Sequence, residues 1–159
     1  MTTRNITTPA TDPDDVARVL NELLETVRDG ENGFRTAANG VDDAELKRLF
    51  LSLSTQRGEF AAELESEILR LGKEPAERGH IAGAMHRGWM DIKAAVTGKD
   101  EGAIVSEAER GEDYAVKSFR EALQKGLPGA IQMVVERQYT QIQDAHDHVR
   151  TLERAHERK

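Results

Sequence analysis

The chain has 159 residues, no cysteine and a formal net charge of -7 at pH 7. These features exclude disulfides, thiolate metal sites and cysteine nucleophiles, and they argue against nucleic acid as a partner, because phosphate backbones need a basic face. No run approaches the roughly 18 apolar residues of a membrane span, mean hydropathy is -0.62, and the first residues lack the apolar stretch of a signal peptide, so the expectation is a soluble cytoplasmic protein with no membrane partner.

Residues 1–11, rich in threonine, are expected to form a disordered tail ahead of a single helical domain over 12–159. Thr11-Asp12-Pro13-Asp14-Asp15 offers N-cap candidates, a proline suited to the first helical position and early carboxylates that complement the helix dipole. A helix over about 12–39 follows, its apolar positions Val16, Val19, Leu20, Leu23, Val27, Phe34 and Ala38 recurring at three- and four-residue intervals up to Asn39-Gly40. Asp42 with Glu45 resembles a capping box, and Leu46, Leu49, Phe50, Leu53, Phe60, Leu64, Ile68 and Leu71 carry a second helix over about 42–71. So short a connection makes the two antiparallel neighbours.

A linker containing Pro75 leads to a shorter helix expected over about 80–97, with Ile81, Met85, Gly88, Trp89, Ile92 and Val96 on one side. Asp100 caps the next, over about 100–125, whose face is Ile104, Ala108, Gly111, Ala115, Phe119 and Ala122. After Lys125-Gly126 and Pro128 the last helix, about 128–156, is marked by Ile131, Val135, Ile142, Ala145, Val149 and Leu152. Two hairpins of long helices joined by one long connection predict an all-α, antiparallel four-helix bundle with a crossover that carries an additional shorter helix. Among bundles that is the ferritin-like arrangement, in which inward carboxylates and histidines can hold two metals. An up-down-up-down bundle with an added helix is the alternative.

Each bundle helix carries a polar interruption in its apolar stripe. Glu31 falls between Val27 and Phe34, Gln56 and Arg57 between Leu53 and Phe60, Glu112 between Ala108 and Ala115, while Gln138 interrupts the last stripe and His146 lies on its edge. At about 1.5 Å per residue, Glu31, Gln56, Arg57, Glu112 and His146 share one level of the bundle. Buried charges occur paired or at metals, which leaves two readings. In one, Glu31, Gln56, Glu112 and His146 hold iron, or manganese or zinc, and Gln143-x-x-His146 stands in for a Glu-x-x-His element. In the other no metal is bound, and Arg57 lies between Glu31 and Glu112 in a buried Glu-Arg-Glu network that fixes helix register.

Leu23-x-x-x-Val27-x-Asp29-Gly30-Glu31-x-Gly33-Phe34, Met85-His86-Arg87-Gly88-Trp89, Glu109-Arg110-Gly111-Glu112-Asp113, Leu127-Pro128 and His146-Asp147 together resemble a bacterial family of four-helix-bundle proteins of unknown function grouped with the ferritin-like superfamily. The resemblance implies the ferritin-like fold. Kinship with rubrerythrin-type di-iron proteins would make Glu31 and Glu112 the single glutamates of the first and third bundle helices. That pattern also needs Glu-x-x-His on the second, where this chain has Gln56-x-x-Glu59.

Two functions follow as expectations. One is metal-centred redox chemistry on iron, oxygen or peroxide in oxidative or general stress. The other is a metal-free interaction or stress-associated bundle, non-enzymatic and homodimeric. His80, His86, His148 and His156, the triplet Asp144, Asp147 and His148, and the acidic run Glu59, Glu63, Glu67 are read as solvated faces.

Overall fold

The computed structural model describes residues 12–77 and 88–157, with side chains to residue 155. The expected tail over 1–11 and the first part of the crossover, including His80, Ile81, Met85 and His86, lie outside the described residues.

Among the described residues five helices occur: α1 Pro13–Gly40, α2 Ala44–Arg70, α3 Ile92–Thr97, α4 Glu101–Lys125 and α5 Gly129–Glu157. Asp12 caps α1 by accepting from the Asp14 backbone N–H at 2.9 Å, with Pro13 in the first turn. Asp100 does the same for α4 through Ala103 N–H at 3.1 Å. For α2 the cap is Asp43, which accepts from Glu45 and Leu46, and not Asp42, one residue earlier. Asp42 instead donates its backbone N–H to Glu101 at the start of α4. Gly72 and Gly126 stop α2 and α4 at φ of 75° and 77°, a left-handed conformation that side chains disfavour.

Helix α1 packs on α2 and α4, and α5 packs on α4 and α2. Gly40, at the end of α1, faces Val96 of α3 and Ile104 near the start of α4, and Lys73, just past α2, pairs with Asp14 at the start of α1. Helices α1 and α4 are therefore antiparallel, and Leu71 and Asp100 stand at opposite ends of the bundle. This is the crossover topology. In the described part of the crossover, residues 88–91 form turns where the expected helix over 80–97 would pass, and Gly88 at φ 96° breaks a continuous helix through Trp89. Helix α3 packs against α1 and α4 of its own bundle.

The core comes in two apolar blocks. One gathers Leu20, Leu24 and Val27 of α1 with Phe60, Leu64 and Ile68 of α2, Phe119 of α4, and Val135 and Ile142 of α5. The other gathers Phe34, Phe50, Leu53, Trp89, Ile92, Ile104, Ala108, Ala145 and Val149. Trp89 locks the second block, with its ring edge-on to Phe34 at 4.9 Å. A Cβ at Gly33 or Gly111 would approach its ring to 2.3 or 2.2 Å, so only glycine lets the indole lie between α1 and α4.

Candidate functional site

Along α1 the blocks divide between Val27 and Phe34, along α2 between Phe60 and Leu53, along α4 between Ala115 and Ala108. The residues in those gaps form the polar layer. Arg57 is 1% exposed and Glu112 0% exposed. The guanidinium meets the carboxylate as a fork: Nη1 donates to Glu112 Oε1 in a short contact, and Nη2 donates to Oε2 at 2.8 Å. Nε donates to Gln56 Oε1 at 3.3 Å, and Gln56 Nε2 in turn donates to Gln141 Oε1 at 3.4 Å. The guanidinium carbon lies 5.3 Å from the centre of the Phe34 ring, a cation–π distance. Gly30 faces the Arg57 side chain, and a Cβ there would meet Cγ at 3.4 Å, ordinary van der Waals contact.

Both carboxylate oxygens of Glu112 are engaged, and neither Arg57 nor Glu112 has a buried polar atom without a partner. Bidentate geometry and full satisfaction are the conditions under which a buried ion pair is tolerated.

The other residues expected at this level are placed differently. Glu31 lies against Gly58 of α2, accepts from Arg35 at 3.3 Å and is 16% exposed, while its backbone carbonyl accepts from Ser54 Oγ. Gln138 is buried and turns toward Glu63 and the Phe60 carbonyl. Glu59 is exposed, as its position off the apolar stripe implies. Gln56 and Glu112 thus meet on Arg57, whereas His146 belongs to a second cluster on the α4–α5 seam.

In that seam, Glu109 and Asp113 stand one turn apart on α4 opposite His146 of α5. Ligand atoms of the three residues lie within 4.8 Å of one another, the one such group among the described residues. His146 Nε2 meets Asp113 Oδ1 in a short hydrogen bond, and its Nδ1 lies 3.2 Å from Asp147 Oδ1. Burial pushes the imidazole down, but the bonds to Asp113 and Asp147 outweigh it and hold the ring above its ordinary pKa.

Glu109 is hydrogen-bonded to Glu153 of α5, and that contact, with burial, pushes its carboxyl up to about 7. The same bond, together with one to Ser106, holds Glu153 below the usual carboxylate range, against the effect of burial. Arg150 Nε stands 3.8 Å from Glu109 and is half exposed. Glu109, Asp113 and Glu153 are the functional candidates that reasoning from the sequence missed. Their signal was the four-residue spacing of Glu109 and Asp113 facing the seven-residue spacing of His146 and Glu153.

The ferritin-like fold implies a pair of core metals, and the core residues do not fit them. A guanidinium occupies both oxygens of Glu112, α2 supplies an amide at Gln56, and Glu59, one turn on from Gln56, is exposed.

A family model described as "Domain of unknown function (DUF2383)" matches residues 15–125. A search of curated proteins gave no match. The chain is similar to a crystal structure at 1.90 Å of a two-domain protein from Anabaena variabilis with DJ-1/ThiJ/PfpI-like and ferritin-like domains. The TM-score is 0.77 at 20% identity, over 92% of this chain and 41% of that one, so the chain spans less than half of that longer protein. The likeness shows the fold. With its crossover topology, its matched family model and this neighbour, the chain belongs to the DUF2383 family and has a ferritin-like four-helix bundle.

Proposed function

We propose that this protein is a ferritin-like bundle whose core works without a metal, and that its role is that of a non-enzymatic structural or interaction protein. The observation that carries this reading is the buried fork between Arg57 and Glu112. A permanent cation sits at the level where the fold would otherwise bring carboxylates to a metal, and it engages both oxygens of the only fully buried carboxylate among the described residues. Arginine stays protonated at any working pH, so it cannot step aside by losing its charge. Gln56 and the Phe34 ring support the guanidinium from two further directions, giving a layer with contributions from α1, α2 and α4 that fixes the register of the helices against one another.

A pair of substitutions tests this. Arg57→Met alone leaves the Glu112 carboxylate buried without a partner and should destabilise the fold strongly. Arg57→Met with Glu112→Leu removes both charges, and the melting temperature should return to that of the wild type or rise above it. Saturable metal binding that disappears in Glu112→Gln while the variant remains folded would contradict the reading.

The reading in which the protein binds iron or another divalent metal has one observation in its favour, the convergence of Glu109, Asp113 and His146. It moves the metal out of the core.

A further inference from the structure

We infer that the α4–α5 seam is a mononuclear site for a divalent transition-metal ion, with Glu109, Asp113 and His146 as ligands and Glu153 at its edge, and that the bound ion clamps the two helices together. The donor set is mixed: one imidazole nitrogen and carboxylate oxygens. That combination suits zinc, manganese or ferrous iron better than calcium or magnesium, which favour oxygen alone.

Three features separate this cluster from an ordinary acidic surface. The ligands come from two helices. Helix α4 contributes residues one turn apart, so both carboxylates emerge on the same face, and α5 contributes a histidine directly across the seam. His146 is also oriented from behind. Asp147 holds Nδ1, which leaves Nε2 facing Asp113, the arrangement by which a carboxylate fixes the tautomer and direction of a metal-binding imidazole.

The third feature is a charge imbalance. Glu109 and Glu153 meet carboxyl to carboxyl at a half-buried position, with Asp113 beside them, a confrontation that a cation would relieve. Arg154 acts on Glu153 from the same helix, and Arg150 makes a single long contact to Glu109 and is 51% exposed. It can swing into solvent, which the enclosed Arg57 cannot. Asp113 is 61% exposed, so an ion has a path from solvent and retains open positions for water.

The test uses the full chain, stripped of metal with chelator and dialysed, and titrated calorimetrically with Zn²⁺, with Co²⁺ as a spectroscopic probe. The expected result is one ion per chain in the micromolar range or tighter, weakened at least about tenfold in His146→Ala and in Asp113→Asn. Asp144→Asn, an exposed carboxylate elsewhere on α5, should bind as the wild type does. Zn²⁺ should also shift the His146 ring resonances before those of His148. Because His146 and Asp113 lie outside the apolar blocks, both variants should remain folded, as circular dichroism would verify. Binding only in the millimolar range, an adventitious ion only, would overturn the inference, as would unchanged affinity in His146→Ala. Loss of binding in Glu112→Gln with retention in His146→Ala would instead place the ion in the core and refute the metal-free core.

Discussion

The polar layer of the core and the α4–α5 seam each place carboxylates opposite a cationic group, and they resolve the charge in opposite ways. In the core, one carboxylate meets one guanidinium as a complete fork, closed off from water by Phe34, Gln56 and the flanking apolar blocks. In the seam, carboxylates outnumber the basic groups, solvent reaches one side, and the carboxylates face one another and a protonatable imidazole. Position in the fold decides the difference. A fully buried charge demands a permanent partner, whereas a half-exposed cluster can exchange protons and ions with water.

The largest effect should come from breaking the core fork on one side only. Arg57→Met should cost about 3–5 kcal/mol in chemical denaturation, with most of the loss recovered when Glu112→Leu is added. Recovery, more than the loss, separates a satisfied pair from a pair held in place by something else. Next in size are the glycines that admit Trp89. Gly111→Ala and Gly33→Ala drive a methyl into the indole and should cost about 1–3 kcal/mol or more, with a change in tryptophan fluorescence.

The seam should respond to pH. Glu109 titrates near 7 in the folded protein, above an unfolded value near 4.5, so its contribution to stability is complete below pH 4.5 and is lost as pH rises through 7. His146 is raised above 6.5, so its contribution is complete below 6.5 and is also lost as pH rises through its folded pKa. Glu153, being lowered, acts in the other direction but only as pH falls below 4.5. Without metal, stability should therefore decline as pH rises from 4.5 through 7, and Glu109→Gln should flatten that decline. The smallest effect is expected at the rim. Arg35→Ala, which removes an exposed partner of Glu31, should change stability by less than about 0.5 kcal/mol.

Much of the architecture was legible in the sequence because local rules and burial agree. Asp12-Pro13, Asp100 and Gly126 mark helix ends by capping chemistry, and the apolar stripes of α1, α2, α4 and α5 became the core. The expected helix over 80–97 fails at residues 88–91, because Gly88 reads as a small residue on a helical face while its backbone adopts φ 96°. The alternative with Arg57 at the centre was visible from the interruption between Leu53 and Phe60. Its partner Glu112 was named as well, but no wheel could show that Glu31 would lie against Gly58 and pair with Arg35. The seam stayed hidden for a related reason. Glu109 and Asp113 fall on the flank of α4, where single-helix periodicity reports solvent, and only the rotation of α5 against α4 brings His146 and Glu153 to them.

The central claim, that the core carries its own cation and leaves metal to the seam, is tested most directly by measuring zinc bound per chain in two variants. These are Arg57→Met/Glu112→Leu and His146→Ala, compared with the wild type at equal free Zn²⁺. Retention of one zinc in the core double variant and loss in His146→Ala is the predicted result. Loss in the double variant with retention in His146→Ala would contradict it.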